Sequence, residues 1–308
     1  MWIIVAIGAY FLLALVAVFD KYLLSGPLPS PKAYAFYVGV LGGGVFTLLS
    51  IFGFVVIPET SILLFGLLAG AVRTLFLFAL FHALRSFEAS RVIPVLGGIL
   101  PIFLLLFVFL FARDTAIFSP TNFFTFLLLV AGAVGISLTK DRRMTLQSIA
   151  AASLAAFLGA FSFFVSKFVY DAQPFLSGLA WVLLGAFCMS LVFLASGEVR
   201  REVSRMLPGQ KPVQTSGKRF PLWIFLGGQI AGASAVFLQN LAVALVPLGL
   251  LSFVSAIGGI QYIFLLTFAV VLSRGAPSIL REKMSRGVIL QKAVSILLIG
   301  AGLALLAL

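Results

Sequence analysis

Long apolar runs, each close to the length that crosses a bilayer, alternate with short polar breaks along the whole chain. A membrane-spanning helix needs roughly 20 apolar residues. Scanning on that scale predicts ten spans, at 3–24, 33–56, 61–84, 92–112, 121–138, 148–170, 176–196, 221–245, 248–273 and 288–307. The breaks carry turn residues or charge, as in SGPLPSPK (25–32), IPET (57–60), ARDT (112–115) and TKDRR (139–143). The longest break, 197–220, is predicted to begin as a charged helix extension and to continue as a flexible linker, PGQKPVQTSGK. The opening MWIIVAIGAY has no basic n-region and no small-residue cleavage site, so the first run is predicted to be a retained helix rather than a signal peptide. The spans leave no room for a soluble domain.

Composition agrees with this pattern. Hydrophobic residues make up 62% of the 308 and charged residues 10%, against about 45–50% and about 25% in soluble domains. The mean hydropathy is +1.21. A soluble enzyme, a nucleic-acid-binding module and a disulfide scaffold are excluded on these grounds. The single Cys188 permits no intrachain disulfide, and with the single His82 it cannot build a His/Cys zinc site. No metal and no cofactor are therefore expected. The nine acids, Asp20, Glu59, Glu88, Asp114, Asp141, Asp171, Glu198, Glu202 and Glu282, all fall at predicted helix ends or in loops. Paired carboxylates for intramembrane hydrolysis are missing from that pattern, and the chain is expected not to be an enzyme.

An internal repeat adds topology. Val95-Leu96-Gly97-Gly98-Ile99-Leu100-Pro101-Ile102-Phe103-Leu104-Leu105 aligns with Ala256-Ile257-Gly258-Gly259-Ile260-Gln261-Tyr262-Ile263-Phe264-Leu265-Leu266, and Arg113 then falls opposite Arg274. Earlier, Val18-Phe19-Asp20-Lys21-Tyr22 aligns with Phe164-Val165-Ser166-Lys167-Phe168. The two matches occur in the same order, in the fourth and ninth and in the first and sixth spans. Two halves follow, 1–139 and 146–308, each with five spans. An odd number of crossings brings the second half into the membrane from the opposite side. The expected fold is thus an all-α integral membrane protein of ten transmembrane helices, arranged as two inverted five-helix repeats with a site at their interface near the midplane.

Two passages carry a family resemblance that covers essentially the whole chain: FDKYLLSG closing the first helix, and FEASRVIPVLGGILPIFLLLFVFLFARD spanning the fourth. With the five-plus-five layout, they make the chain similar to EamA-type ten-helix carriers of the drug/metabolite transporter superfamily. At the exit of the fourth helix that family usually has an acid after a glycine, where this chain has Ala112-Arg113-Asp114. Small multidrug exporters, which resemble half of this fold, use a Glu within the first helix to exchange protons for cationic drugs. The first span here, IIVAIGAYFLLALVAVF, has no acid, which disfavours that mode.

Charge sets the expected orientation. Of the 21 Lys and Arg residues, eighteen fall in one set of alternating loops and adjoining helix ends. The other set holds only Arg113 and Lys167, and Arg73 lies within a span. Basic loops stay in the cytoplasm. The expectation is a multi-pass protein of the cell membrane with basic loops cytoplasmic and both termini outside, the reverse of what the family resemblance implies.

The candidate residues are those whose chemistry is costly in hydrocarbon. Arg73, near the middle of the third span in LAGAVRTLFLF, costs roughly 2.5–3.5 kcal/mol to insert. It is either a bidentate contact for a carboxylate or phosphate or a structural arginine satisfied by carbonyls and water. Gln229 and Asn240, eleven residues apart in the eighth span, share a helix face to within about 20°. They line a path or hydrogen-bond between helices, with Gln239 just beside their stripe. Gln261 and Tyr262 follow Gly258-Gly259 as Leu100 and Pro101 follow Gly97-Gly98, and are candidate substrate contacts. The glycine pairs permit close helix approach, and Pro101 removes a backbone hydrogen bond so that a carbonyl faces a cavity. Lys21 and Lys167, closing the first span of each repeat, are expected to snorkel to the interface, and their repetition in both halves leaves a gating or anion-attracting role open.

These readings converge on a secondary transporter that moves a small polar or anionic metabolite by alternating access. The expected partners are a small-molecule substrate and the lipid bilayer, with no nucleic acid, and the pattern leaves the oligomeric state open. The rival expectation is a structural or accessory subunit of a membrane complex, for which Arg73 and Gln229 in hydrocarbon would have no use.

Overall fold

A computed structural model describes residues 1–23, 30–87, 89–137, 145–206, 222–273 and 286–307. Among the described residues every regular element is helical. The α-helices are α1 (Trp2–Leu23), α2 (Pro31–Ile51), α3 (Thr60–Ser86), α4 (Ala89–Phe107), α5 (Pro120–Ser137), α6 (Leu146–Ala172), α7 (Phe175–Phe193), α8 (Gly197–Met206), α9 (Leu222–Leu245), α10 (Leu251–Ala256), α11 (Ile260–Ser273) and α12 (Arg286–Ala307). Eight described segments are long and apolar enough to cross a membrane, and Trp2–Ala17 and Ile230–Leu245 are shorter apolar stretches within α1 and α9. Large apolar side chains such as Leu41, Ile51, Leu110, Phe124 and Leu297 stand exposed on these helices, as a bilayer-facing surface requires.

Local chemistry sets the helix ends. Ser30 caps α2, its hydroxyl accepting from the Ala33 N–H at 3.3 Å, and Pro31 occupies the first helical turn, where a missing N–H costs nothing. Gly53, at φ +74°, makes the left-handed turn after α2. A five-residue π-helical turn, Val108–Ala112, follows α4, and Arg113 then adopts φ 54°. Asp114 Oδ1 accepts from the Ala116 N–H at 2.9 Å, and Asn122 Nδ2 donates to the Ala116 carbonyl at 2.8 Å, which fixes the approach to α5.

Two elements differ from the sequence expectation. The ninth span is interrupted: a 3-10 turn (Leu248–Leu250) precedes α10, and a second (Ile257–Gly259) separates α10 from α11. Gly258 and Gly259 lie in that second turn, where the helical hydrogen-bond pattern tightens. The charged segment after α7 is a separate helix, α8, rather than an extension, because the chain turns at 194–196. Arg200 holds the junction by donating from Nε to the Leu194 carbonyl (2.7 Å) and from a terminal nitrogen to the Ala195 carbonyl (3.4 Å). The predicted linker PGQKPVQTSGK and the TKDRR turn lie outside the described residues.

The chain divides into two compact units, and each draws helices from both sequence halves. One comprises 27–88 and 146–218, and so contains α2, α3, α6, α7 and α8. Its helices meet through small residues. Gly66, Ala69 and Gly70 of α3 and Gly178, Gly185 and Ala186 of α7 are buried. A Cβ at Gly70 would overlap the Val182 carbonyl oxygen, and one at Gly185 would overlap the backbone of Leu67. Such contact brings backbones together and supplies the dispersion and hydrogen bonding that hold helices in lipid. Thr74 Oγ1 donates across this seam to the Ala186 carbonyl at 3.1 Å. On the other side of α3, Ser162 Oγ of α6 donates to the Ala69 carbonyl at 2.9 Å.

The second unit comprises 1–26, 89–145 and 219–308. Here α1 runs antiparallel along α9, with Gly8 facing Leu238 and Gly232 facing Val16. Helices α5 and α12 also pack antiparallel. A Cβ at Gly132 would lie 2.7 Å from Ile299, one at Gly302 would lie 2.8 Å from Leu129, and Gln291 Nε2 donates to the Gly135 carbonyl at 2.8 Å. Phe126 of α5 meets Phe253 of α10 edge-on at 5.9 Å.

Candidate functional site

Arg73 belongs to the first of these units. It is thirteen positions along α3, about 20 Å from the start of the helix at 1.5 Å per residue. Its side chain is half-buried. Helical side chains lean toward their own N-terminus. Since α3 and α6 run in opposite directions, Arg73 and Tyr170 lean toward one another, and the two interact electrostatically. Ser166, one turn before Tyr170, hydrogen-bonds its hydroxyl. Ser162, Ser166 and Tyr170, spaced four apart, thus form a polar stripe on α6, and its Ser162 end bonds the backbone of α3.

Lys167 departs from the expected snorkelling lysine. It is buried, and its ammonium donates to Asp171 Oδ1 at 2.6 Å. The physical reason is the acid one turn further along the same face, which answers the charge within α6. The Lys167 side chain is 4% exposed and that of Asp171 49%, so the pair runs from the interior out toward the helix end.

The remaining sequence candidates lie in the second unit. Gln229 is in the early part of α9, and its side chain lies outside the described residues. Asn240 is buried, and its Nδ2 donates to the Val236 carbonyl of its own helix at 2.8 Å. Gln261 and Tyr262 are half-buried in the first turn of α11, immediately after the 3-10 break.

That break has a partner the sequence did not single out. Tyr10, buried in the middle of α1, donates its hydroxyl hydrogen to the Val254 carbonyl at 2.8 Å. Its side chain also hydrogen-bonds Gln239. With the single phenolic hydrogen already used, Gln239 must be the donor to the Tyr10 oxygen. The Tyr10 ring lies 3.2 Å from where a Cβ on Gly258 would be. Tyr10, Gln239 and the Val254 carbonyl therefore form one polar cluster beside Gly258, at the interrupted ninth segment. The available signal was a tyrosine in an otherwise apolar span, AIGAYF, ahead of a glycine pair elsewhere in the chain.

The glycine pairs have divided roles. A Cβ at Gly98 would lie 2.6 Å from Val134, and one at Gly259 would lie 2.8 Å from Ala133 and 3.1 Å from Ile299. These two are packing positions. Gly97 instead faces open space, with nothing within 4 Å of an added Cβ. Pro101 is buried, and α4 continues through both Pro94 and Pro101. Pro101 has no N–H to give to the carbonyl of Gly97, four residues before it. Two further buried hydroxyls, Thr125 of α5 and Ser252 of α10, have no hydrogen-bond partner. Among the described residues, no group of three His, Cys, Asp or Glu side chains is placed to hold a metal ion.

Eight bilayer-length apolar helices among the described residues, with polar side chains held at depth between small-residue seams, define a multi-pass helical membrane protein. No protein-family model and no curated protein matches the chain. A protein known from its crystal structure has a similar fold, with a TM-score of 0.63 and 16% identity over 99% of this chain and 94% of that one.

Proposed function

We propose that the chain is a secondary transporter of the drug/metabolite type, with ten spans in two inverted five-helix repeats, moving a small polar or anionic metabolite by alternating access. The observation that carries this reading is the exchange of helix partners between the two halves. Exchanging the first span with the sixth and the third with the eighth turns the α3–α6 pair into the α1–α9 pair, and both are among the most extensive contacts in the fold. The finer register agrees. Ser162 beside Ala69 has its counterpart in Val16 beside Gly232, at the repeat offsets within two residues. Gly98 packs on α5, and its counterpart Gly259 contacts Ile299 of α12. Counting α1 and α9 as whole helices of 22 and 24 residues brings the spans to ten.

Arg73 gives the site its charge preference. A guanidinium this deep, beside a phenol and a serine stripe, offers a fork for a carboxylate or phosphate. The interrupted ninth segment and the Pro101-containing α4 supply irregular backbone of the kind that transporters place along a substrate path. The test is uptake of radiolabelled amino acids, organic anions and nucleotide sugars into proteoliposomes, with Arg73→Gln alongside. The expected result is anion uptake that Arg73→Gln abolishes while its melting temperature stays near that of the wild type, with partial recovery in Arg73→Lys. Full transport by a stable Arg73→Gln protein removes Arg73 from the site. A panel in which nothing moves overturns the transporter reading.

A further inference from the structure

The connection between α2 and α3 carries no charge. From Ala33 to Pro58 the chain has no Asp, Glu, Lys, Arg or His, and Lys32 and Glu59 bracket that stretch. Helix α2 takes it only as far as Ile51. The next six residues, Phe52-Gly53-Phe54-Val55-Val56-Ile57, are non-helical. Phe52, Phe54, Val56 and Ile57 are exposed, Phe52 at 72% and Ile57 at 79%. They prolong an exposed face of α2, on which Leu41, Val45 and Leu48 lead at helical spacing to Phe52. The loop backbone is fastened to α7. Ser177 Oγ accepts from the Val56 N–H at 2.9 Å. The Val56 carbonyl accepts from Trp181 Nε1 at 2.9 Å, and Ser177 Oγ lies 3.1 Å from the same oxygen. Trp181 also packs its ring on Phe46 of α2, with centroids 5.8 Å apart. Ahead of this pin, the Gly53 and Phe54 N–H groups donate to the Ser50 and Leu49 carbonyls at 3.1 and 3.0 Å.

This attachment fixes the depth of the loop. Helix α7 has 19 residues, about 28 Å of rise, no more than the roughly 30 Å hydrocarbon core. Its start at Phe175 therefore lies at the membrane boundary. Ser177 and Trp181 are its third and seventh residues, about 3 and 9 Å further in. Val56, held by both, lies inside that boundary rather than beyond it. Three extended residues, with about 10 Å of reach, return the chain to Glu59 at the head of α3. We propose that residues 52–57 form a membrane-inserted foot whose partner is the boundary between lipid headgroups and acyl chains. Irregular backbone is tolerated at such depth only where its polar groups are answered, and Ser177 and Trp181 answer both groups of Val56. A tryptophan at this level suits the interface, its ring apolar and its N–H satisfied. The exposed surface runs on into the lipid-facing side of α2 without the polar rim that surrounds a protein interface. In water the same side chains would form an uncovered apolar patch. Ser177 and Trp181 are thus positioning residues that hold the foot at depth. The inference needs only the membrane-spanning class of the chain and stands apart from what it transports.

Spin labelling of the full chain in phosphatidylcholine liposomes tests this. In a Cys188→Ser background, Phe54→Cys, Ile57→Cys and Glu59→Cys each carry a nitroxide, and Ser216→Cys in the polar connector is the aqueous reference. Collisions with oxygen, which concentrates in lipid, are compared with collisions with a water-soluble nickel chelate. The expected result is an oxygen-to-nickel ratio several-fold higher at 54 and 57 than at 216, falling toward the reference at 59. A ratio at 54 and 57 equal to the reference places the loop in water and overturns the inference. Labels that neither reagent reaches, with dipolar broadening that disappears on dilution with unlabelled protein, show a second copy seated on the loop and overturn it as well. Adding Ser177→Ala to the Ile57→Cys protein removes the acceptor of the Val56 N–H and should lower the ratio at 57 several-fold. If Ser177→Ala fails to fold, Trp181→Phe, which removes the indole donor, makes the same test. A ratio at 57 that the substitution leaves unchanged overturns the positioning role of the pin.

Discussion

Replacing Gly70 with alanine adds one methyl group at the tightest point of the α3–α7 seam. The new Cβ would overlap the Val182 carbonyl oxygen, and it would also lie 2.5 Å from the Ala186 nitrogen and 2.9 Å from the Gly185 carbonyl carbon. All three are backbone atoms, so no side chain can rotate away and the two helices must separate. Overpacking of a well-filled interior costs about 1–3 kcal/mol even where side chains can yield. Separation also lengthens the Thr74–Ala186 hydrogen bond, 3.1 Å in the native seam, at a further cost of about 1 kcal/mol. The Gly185 contact with Leu67 lies in the same seam and is disturbed by the same movement. The expected total is about 2–4 kcal/mol, a fall in melting temperature on the order of 10 °C for a chain of this size. Thermal unfolding of the detergent-purified protein, followed by loss of the monodisperse peak, measures it. Gly97→Ala and Gly44→Ala are the controls, since an added Cβ at either position meets nothing within 4 Å. A Gly70→Ala protein that melts with these controls would refute the close seam, and with it the small-residue account of this unit.

Two further perturbations check other parts of the account. A cysteine at Ser216, in a Cys188→Ser background, should react with a membrane-impermeant maleimide only after permeabilisation, because the basic 197–220 connector is expected in the cytoplasm; labelling of intact cells would reverse the orientation. Tyr10→Phe removes the hydrogen bond to Val254 and strands the Gln239 amide, so it should cost about 1–3 kcal/mol in the same melting assay, and an unchanged melting temperature would mean that the cluster at the ninth segment contributes nothing to holding α1 in place.

The helices were legible because their signal is collective: twenty apolar residues in a row admit few alternatives in a bilayer. The predicted spans fall on helices along the whole chain, differing by a few residues at their ends. What the periodicity could not show was the interruption at 257–259. Every residue there is apolar or glycine, and hydropathy is blind to whether a turn closes over three residues or four. Arg73 stood out because a charge in hydrocarbon is visible by itself. Its neighbour Tyr170 did not, since a tyrosine near a helix end is commonplace in membrane proteins. Lys167 was misjudged for a related reason: its distance from the helix end suggested an escape to the interface, whereas Asp171 four residues later offered a partner without leaving the helix. Asn240, prominent as a polar residue at depth, turns its amide onto its own backbone, an outcome that residue type and spacing leave undetermined.

The fourth and ninth segments show how one motif takes two conformations. Both contain a glycine pair followed by Ile, and in both the second glycine is the close-packed one. In the fourth, Pro101 fixes its own φ and still allows α4 to continue, and the irregularity emerges further on as the π turn at 108–112. In the ninth, Gln261-Tyr262 stands where Leu100-Pro101 would be, and the irregularity falls on the glycines themselves as a 3-10 turn. The difference has a local cause. Tyr10 bonds the Val254 carbonyl from outside the segment and lays its ring against Gly258, a contact that a side chain at 258 would crowd. The corresponding position at Gly97 faces open space, and Pro101 has no N–H to give to the Gly97 carbonyl. The two glycine pairs thus meet different surroundings, a tyrosine ring against Gly258 and open space beside Gly97. The ninth segment is therefore tied to α1 at Val254 by a hydrogen bond that any change in its bend must break or carry along.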